Sequence, residues 1–167
     1  MYFAWKQSPT TPTPEPVSAE TAKAQKACRP GSPNSIGKAA FAGNIDRVTE
    51  CLTLLKSDSD VKNNDGWTAL HSAAAGGYKA VAQKLYGSGY FDLEAKNNQN
   101  QTPLYVSVYY AVNNDKSAVE TAARLKHMIR YLRENQAQTN VVDSNGSSML
   151  ARAAGHPQIL EALSPNQ

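Results

Sequence analysis

Asn63-Asn64-Asp65-Gly66-Trp67-Thr68-Ala69-Leu70-His71-Ser72-Ala73-Ala74-Ala75-Gly76-Gly77 reads as a turn followed by a short helix. Asn, Asp and Gly at its start tolerate the left-handed dihedrals of tight turns. Thr68 follows as an N-cap, its hydroxyl accepting a backbone N–H that the first helical turn leaves without a partner. Leu70, Ala73 and Ala74 fall at i, i+3 and i+4 and make one narrow apolar face. Gly76-Gly77 stops the helix. A face this small cannot fold alone.

The same pattern returns along the chain. Ile36, Leu70 and Leu104 recur every 34 residues, and Leu150 follows 46 later. Thr68, Thr102 and Ser148 keep that offset, as do Gly66, Asn100 and Gly146 in the preceding turn. Small residues come next in each unit: Ala39-Ala40, Ala73-Ala74, Ser107-Val108 and Ala153-Ala154. A period of this length marks a stack of units that bury apolar side chains only against their neighbours. A second apolar set at helical spacing completes each unit. It consists of Val48, Leu52 and Leu55, then Val81 and Leu85, then Ile129 and Leu132, and finally Ile159, Leu160 and Leu163.

Asp65-Gly66-Trp67-Thr68-Ala69-Leu70-His71-Ser72-Ala73-Ala74 resembles the opening of an ankyrin repeat, as does Gln101-Thr102-Pro103-Leu104-Tyr105. The stretches Gly43 to Val48 and Glu134 to Asp143 resemble the second helix and exit loop of the same unit. The resemblance implies an all-α solenoid of stacked helix pairs with projecting turns. It covers residues 34–163 in about four units, after a leading segment 1–33 and before a tail 164–167. Unit one lacks the Thr and Gly of the turn, unit three has Asn100 for Gly and Tyr105 for His, and unit four lacks the His. Atypical end units fit capping.

The resemblance also assigns roles. His71 ties neighbouring turns together, which is a scaffold role. Positions equivalent to Tyr109 and Tyr110 line the concave groove, and Trp67 and Gln101 sit on the projecting turns. With Tyr105 these make the candidate partner-binding set, since large aromatics are typical interface anchors. The residues leave open that one or two of the tyrosines pack in the core with the hydroxyl satisfied.

Unit three is where the chain is individual. Its extra residues fall between Tyr110 and Arg130. Asn113-Asn114-Asp115-Lys116 reads as a turn, and Ser117-x-x-Glu120 as a capping box that opens a helix over Ala118 to Arg133. Val119, Ala122, Leu125, Ile129 and Leu132 form its apolar stripe. At 1.5 Å per residue the helix is about 24 Å long and projects past its neighbours. An extension on one face of a stack is a binding element in its own right, so Asn114 and Lys116 join the candidate set. Lys116, Arg124, Lys126, Arg130 and Arg133 against Glu120 and Glu134 read as the solvated side of this helix, or else as a landing face for an acidic partner.

The 167 residues include 17 basic and 14 acidic ones, a net charge of +3 that calls for neither nucleic acid nor an anionic membrane. Catalysis, a cofactor and a metal are not expected. His71, His127 and His156 show no metal spacing with each other or with the two cysteines, and no phosphate-binding glycine motif is present. His127 and His156 read as surface residues.

Cys28 and Cys51 depend on compartment. In an oxidising one they pair, closing a loop of roughly 24 residues for about 3 kcal/mol. In a reducing one they stay thiols, with Cys51 a small buried hydrophobe in the first unit's second helix.

Met1-Tyr2-Phe3-Ala4-Trp5-Lys6 resembles the interfacial end of a membrane anchor, with Pro9 to Pro16 as an extended spacer beyond it. The alternative is a plain cytosolic tail. A short helix is expected from about Ser18 to Ala27.

These features join into one functional expectation: a bacterial envelope protein, held at the inner membrane and facing the periplasm. It binds another protein, a toxic secreted enzyme, and neutralises it by covering the active site, as an immunity protein does. The alternatives are a cytosolic scaffold, a secreted host-directed effector or, more weakly, a regulatory subunit of an enzyme complex.

Overall fold

The computed structural model describes residues 18–33, 35–113 and 119–164. The Asn114 to Lys116 turn, the Ser117 cap and the Met1 to Lys6 segment lie outside these residues. Nine α-helices are described: α1 (Ala19–Cys28), α2 (Ile36–Phe41), α3 (Ile45–Leu55), α4 (Ala69–Gly76), α5 (Lys79–Gly87), α6 (Pro103–Asn113), α7 (Val119–Glu134), α8 (Met149–Ala153) and α9 (Pro157–Leu163). An inner layer stacks α2 on α4 on α6 on α8, and an outer layer runs α3, α5, α7, α9. The leading helix α1 packs on α3. Among the described residues no helix is long and apolar enough to cross a membrane.

Local chemistry sets the helix starts. Thr68 Oγ1 accepts from the His71 amide, and Ser35, Thr102 and Ser148 cap α2, α6 and α8 in the same way. Ser35 supplies the cap in the first unit, which lacks the Thr of the repeat. Gly77 closes α4 in the left-handed region at φ 72°. The inner helices approach closely because small residues face each other: Ala39, Ala40, Ala73, Ala74 and Ser107 are all buried. Gly76 lies against the Phe41 carbonyl, where an added Cβ would sit 2.7 Å from the oxygen.

Three turns repeat one construction. The Asn63 side-chain oxygen accepts from the amides of Asp65 and Trp67, Asn97 does the same for Gln99 and Gln101, and Asp143 for Asn145 and Ser147. Gly66, Asn100 and Gly146 each take positive φ, at 76°, 60° and 78°. Successive turns then bond to one another, Asn98 N–H to the Asp65 carbonyl and Ser144 N–H to Gln99. The residue that organises each turn, Asn63, Asn97 or Asp143, follows the same 34 and 46 spacing and was passed over in the sequence.

His71 pins one turn to the next. Its Nδ1 accepts from the Thr68 amide at 3.2 Å, which leaves the proton on Nε2 to donate to the Gln101 carbonyl at 3.0 Å. Tyr105 does the same work one unit later. Its hydroxyl lies 3.0 Å from the Ser147 carbonyl, the position equivalent to Gln101.

Two expectations need correction. Leu150 is 50% exposed rather than buried, because no described unit follows to cover it, and Met149 fills the core instead. The stripe expected on the long helix is covered only in part. Val119 is 75% exposed and Ala122 is exposed, while Leu125, Met128, Ile129, Tyr131 and Leu132 are buried. The first turn of α7 therefore overhangs the stack, and its buried face carries Met128 and Tyr131 in addition.

Burial lowers the His71 pKa to about 4, although its bond to the Gln101 carbonyl favours the charged ring. The unfolded ring titrates near 6.5, so the unfolded chain holds more protons between about pH 6.5 and 4. Stability is therefore full above pH 6.5 and falls as pH drops toward 4, by at most about 1.4 kcal/mol per pH unit. Urea unfolding across this range should show that slope in the native chain and a flatter one in His71→Gln. Equal slopes would contradict the assignment.

Candidate partner-binding groove

The concave side carries a groove of about 430 Å³. Ile36, Lys38 and Phe41 of α2 line one side, Trp67 and Asp65 from the first turn and Tyr110 of α6 another, and Pro30 and Gly31 close it. Phe41 is 49% exposed, and Trp67 and Tyr110 are half-buried. The Trp67 and Tyr110 rings meet edge to face at 6.2 Å, and Tyr110 meets Tyr109 in the same way at 5.8 Å. The Arg152 guanidinium stacks over Tyr109 at 5.1 Å and so extends the aromatic row.

Of the residues predicted to contact a partner, Trp67, Tyr109 and Tyr110 come together on this face. Gln101 and Tyr105 do not join them, which corrects their expected exposure. Gln101 is buried because its carbonyl receives His71 and its side chain accepts from Asn97 Nδ2 at 3.0 Å. Tyr105 is fully buried, and its hydroxyl is taken up in a network with Asp143, Ser147 and Arg152. Asn114 and Lys116 lie outside the described residues. Phe41 and Pro30 line the groove without having been singled out. The signal for Phe41 was the repeat register itself, since it ends the first inner helix as Tyr110 stands near the end of the third.

Asp143 anchors the far end. Its Oδ1 accepts from two turn amides, and its Oδ2 accepts from Arg152 Nη2 at 2.7 Å and lies 3.0 Å from the Tyr105 hydroxyl. Burial opposes its ionisation. The bonds from Arg152, the Ser147 amide, Tyr105 and the Asn145 amide outweigh that and hold the carboxyl at about 2.

The charges on α7 work as struts. Arg124 stacks on Tyr78 at 4.8 Å, Arg130 pairs with Glu161 of α9 at 2.7 Å, and Arg133 donates to the carbonyls of Leu163 and Ala137. His71 is fully buried, His127 is exposed and His156 is half-buried. Cys28 and Cys51 are joined in a disulfide and fully buried. Among the described residues no group of three or more His, Cys, Asp or Glu stands ready to hold a metal.

Residues 36–121 match the family described as ankyrin repeats in three copies, and the chain belongs to that family. It is 33% identical over 144 residues to human ankyrin repeat domain-containing protein 53, covering 86% of this chain and 24% of that protein. It is 32% identical over 116 residues to the zebrafish (Danio rerio) neurogenic locus notch homolog protein 1, covering 68% of this chain and 4% of the other. The chain thus spans a quarter or less of the curated relatives it matches. Among solved structures it is similar to an ankyrin repeat domain from Acinetobacter baumannii AYE, with a TM-score of 0.64 and 22% identity over 77% of this chain and 61% of that one. That likeness supports the all-α stacked fold. The ankyrin repeats make the chain a protein–protein interaction module.

Asn already occupies the Asp143 position in the two preceding turns, so Asp143→Asn should keep the acceptor for the turn amides while turning an NH2 toward Arg152 and the Tyr105 hydroxyl, at about 2 kcal/mol. Asp143→Ala loses Arg152's partner as well and also strands the two turn amides, at about 4 kcal/mol. Equal losses in urea denaturation would contradict this division of labour.

Proposed function

We propose that this domain works outside the cytoplasm, held at the bacterial inner membrane and facing the periplasm. There it binds a toxic secreted enzyme and neutralises it by covering the active site. The compartment rests on one observation, the fully buried Cys28–Cys51 disulfide, because such bonds persist in oxidising surroundings. The Trp67, Tyr110 and Tyr109 row with Arg152 beside it supplies the residue types that dominate binding energy at interfaces. Phe41 adds exposed apolar surface to the groove, and Lys38 and Asp65 give the rim one charge of each sign. A groove of this kind suits a protruding segment of a folded partner, such as the rim of an active site. A fold hosts many functions, so the nature of the partner is read from the compartment and the groove together.

Chains isolated from native cells with thiols blocked at lysis should carry no alkylated cysteine. Two alkylated cysteines would favour the cytosolic scaffold instead. A partner co-purified from the native organism should be a secreted enzyme, inhibited when bound. Trp67→Ala, Tyr109→Ala and Tyr110→Ala should each weaken that complex by roughly tenfold or more, with the circular dichroism unchanged. Native affinity in all three variants would rule out this face.

A further inference from the structure

We infer that the partner segment entering this groove carries an Asp or Glu whose carboxylate binds Arg152, while a large apolar side chain a few residues away sits between Phe41, Trp67 and Tyr110. This assignment rests on the groove being the partner site and names the chemistry of what enters it.

The Arg152 guanidinium is already held in place. Its Nε donates to the Tyr105 hydroxyl and its Nη2 to Asp143 Oδ2 at 2.7 Å. The flat group lies 5.6 Å from the Tyr105 ring centre and 5.1 Å from that of Tyr109. Its Nη1 has no bond among the described residues and is not enclosed, the side chain being 25% exposed. Donors of a planar fork are therefore left over at the surface, and a carboxylate is the group whose shape and charge match them. Because the fork is fixed beforehand, little side-chain entropy is lost when a partner arrives.

The acid beside it does not compete for those donors. The Asp143 side chain is 1% exposed, and both of its oxygens are taken, Oδ1 by two turn amides and Oδ2 by Arg152 and Tyr105. Its charge offsets much of the arginine's field at a distance, so Arg152 does little to steer an approaching partner. An incoming carboxylate is recognised on contact. It slows dissociation and leaves the association rate nearly unchanged.

The other end of the aromatic row sets the direction of the segment. Asp65 lines the groove beside Trp67, so a carboxylate placed there meets a like charge as well as Lys38. Arg152 instead offers a cation whose own counter-ion is buried. Ring contacts join the two ends, 6.2 Å from Trp67 to Tyr110, 5.8 Å on to Tyr109 and 5.1 Å to the guanidinium. The ends thus lie at most about 17 Å apart, and an extended chain advances about 3.3 Å per residue. The acid and the apolar anchor are separated by no more than about five residues.

The test pans a random peptide library displayed on phage against the full chain with its disulfide formed. Enriched peptides should carry Asp or Glu within about five residues of a large apolar side chain. Changing that acid to its amide should raise the dissociation rate about tenfold, as expected for loss of one charge-assisted hydrogen bond. In the native chain the Arg152 Nε–H resonance should shift with the acid peptide and stay with its amide twin, a readout that needs no variant. On Arg152→Gln/Asp143→Asn the two peptides should dissociate alike. Enrichment without an acid, no enrichment at all, or acid peptides that still bind Trp67→Ala would overturn the inference. Peptides lost in Trp67→Ala yet indifferent to the acid would remove this chemistry and leave the groove as the binding face.

Discussion

A polar atom on the first turn of one inner helix reaches across to the carbonyl of the next turn, and the order of the stack depends on that reach. His71 makes the bond to Gln101, and Tyr105 reaches Ser147 with a hydroxyl proton shared with Asp143. Both side chains are fully buried, so an unmade bond would leave a desolvated polar group on each side of the joint. A slip of one unit against the next is therefore costly, and the turns stay in register. The groove inherits its shape from this, since Trp67 sits on one such turn and Tyr110 on the helix that follows the next.

Exchanging His for Tyr at the second joint has a further consequence. A tyrosine hydroxyl can accept as well as donate, and Arg152 uses the accepting side while pairing with Asp143. One network thereby closes the last turn, neutralises a buried carboxylate and lays a guanidinium over Tyr109 at the end of the aromatic row. The long helix of unit three braces the opposite layer. It passes so close to Gly77 that an added Cβ there would meet the Leu125 amide nitrogen at 3.0 Å, and Arg124 lies on Tyr78 beside it. The departures from the repeat thus serve partly to close the last described unit of the stack.

The spacing of Leu70, Leu104, Thr68 and Thr102 was enough to read the fold, because each unit repeats the same burial problem. Leu150 shows the limit of that arithmetic: register fixes which way a side chain points, but whether anything covers it depends on a following unit. Tyr105 and Gln101 were misplaced for a related reason. Their partners lie 42 and 30 residues away, and a residue's type does not reveal which distant group will bond to it. Asn63, Asn97 and Asp143 were legible by the same period, yet polar turn residues look interchangeable until their bonds are seen. Pro30 gave no signal, since it lies outside the repeat and its place at the groove follows from how the leading segment packs.

The most direct measurement is a hydrogen-exchange footprint of the oxidised chain bound to the partner recovered from its native organism. New protection is expected at residues 30–41, at the 63–67 turn and on α6 around Tyr109 and Tyr110. Protection confined to the outer helices α5, α7 and α9, with the concave face unchanged, would contradict it.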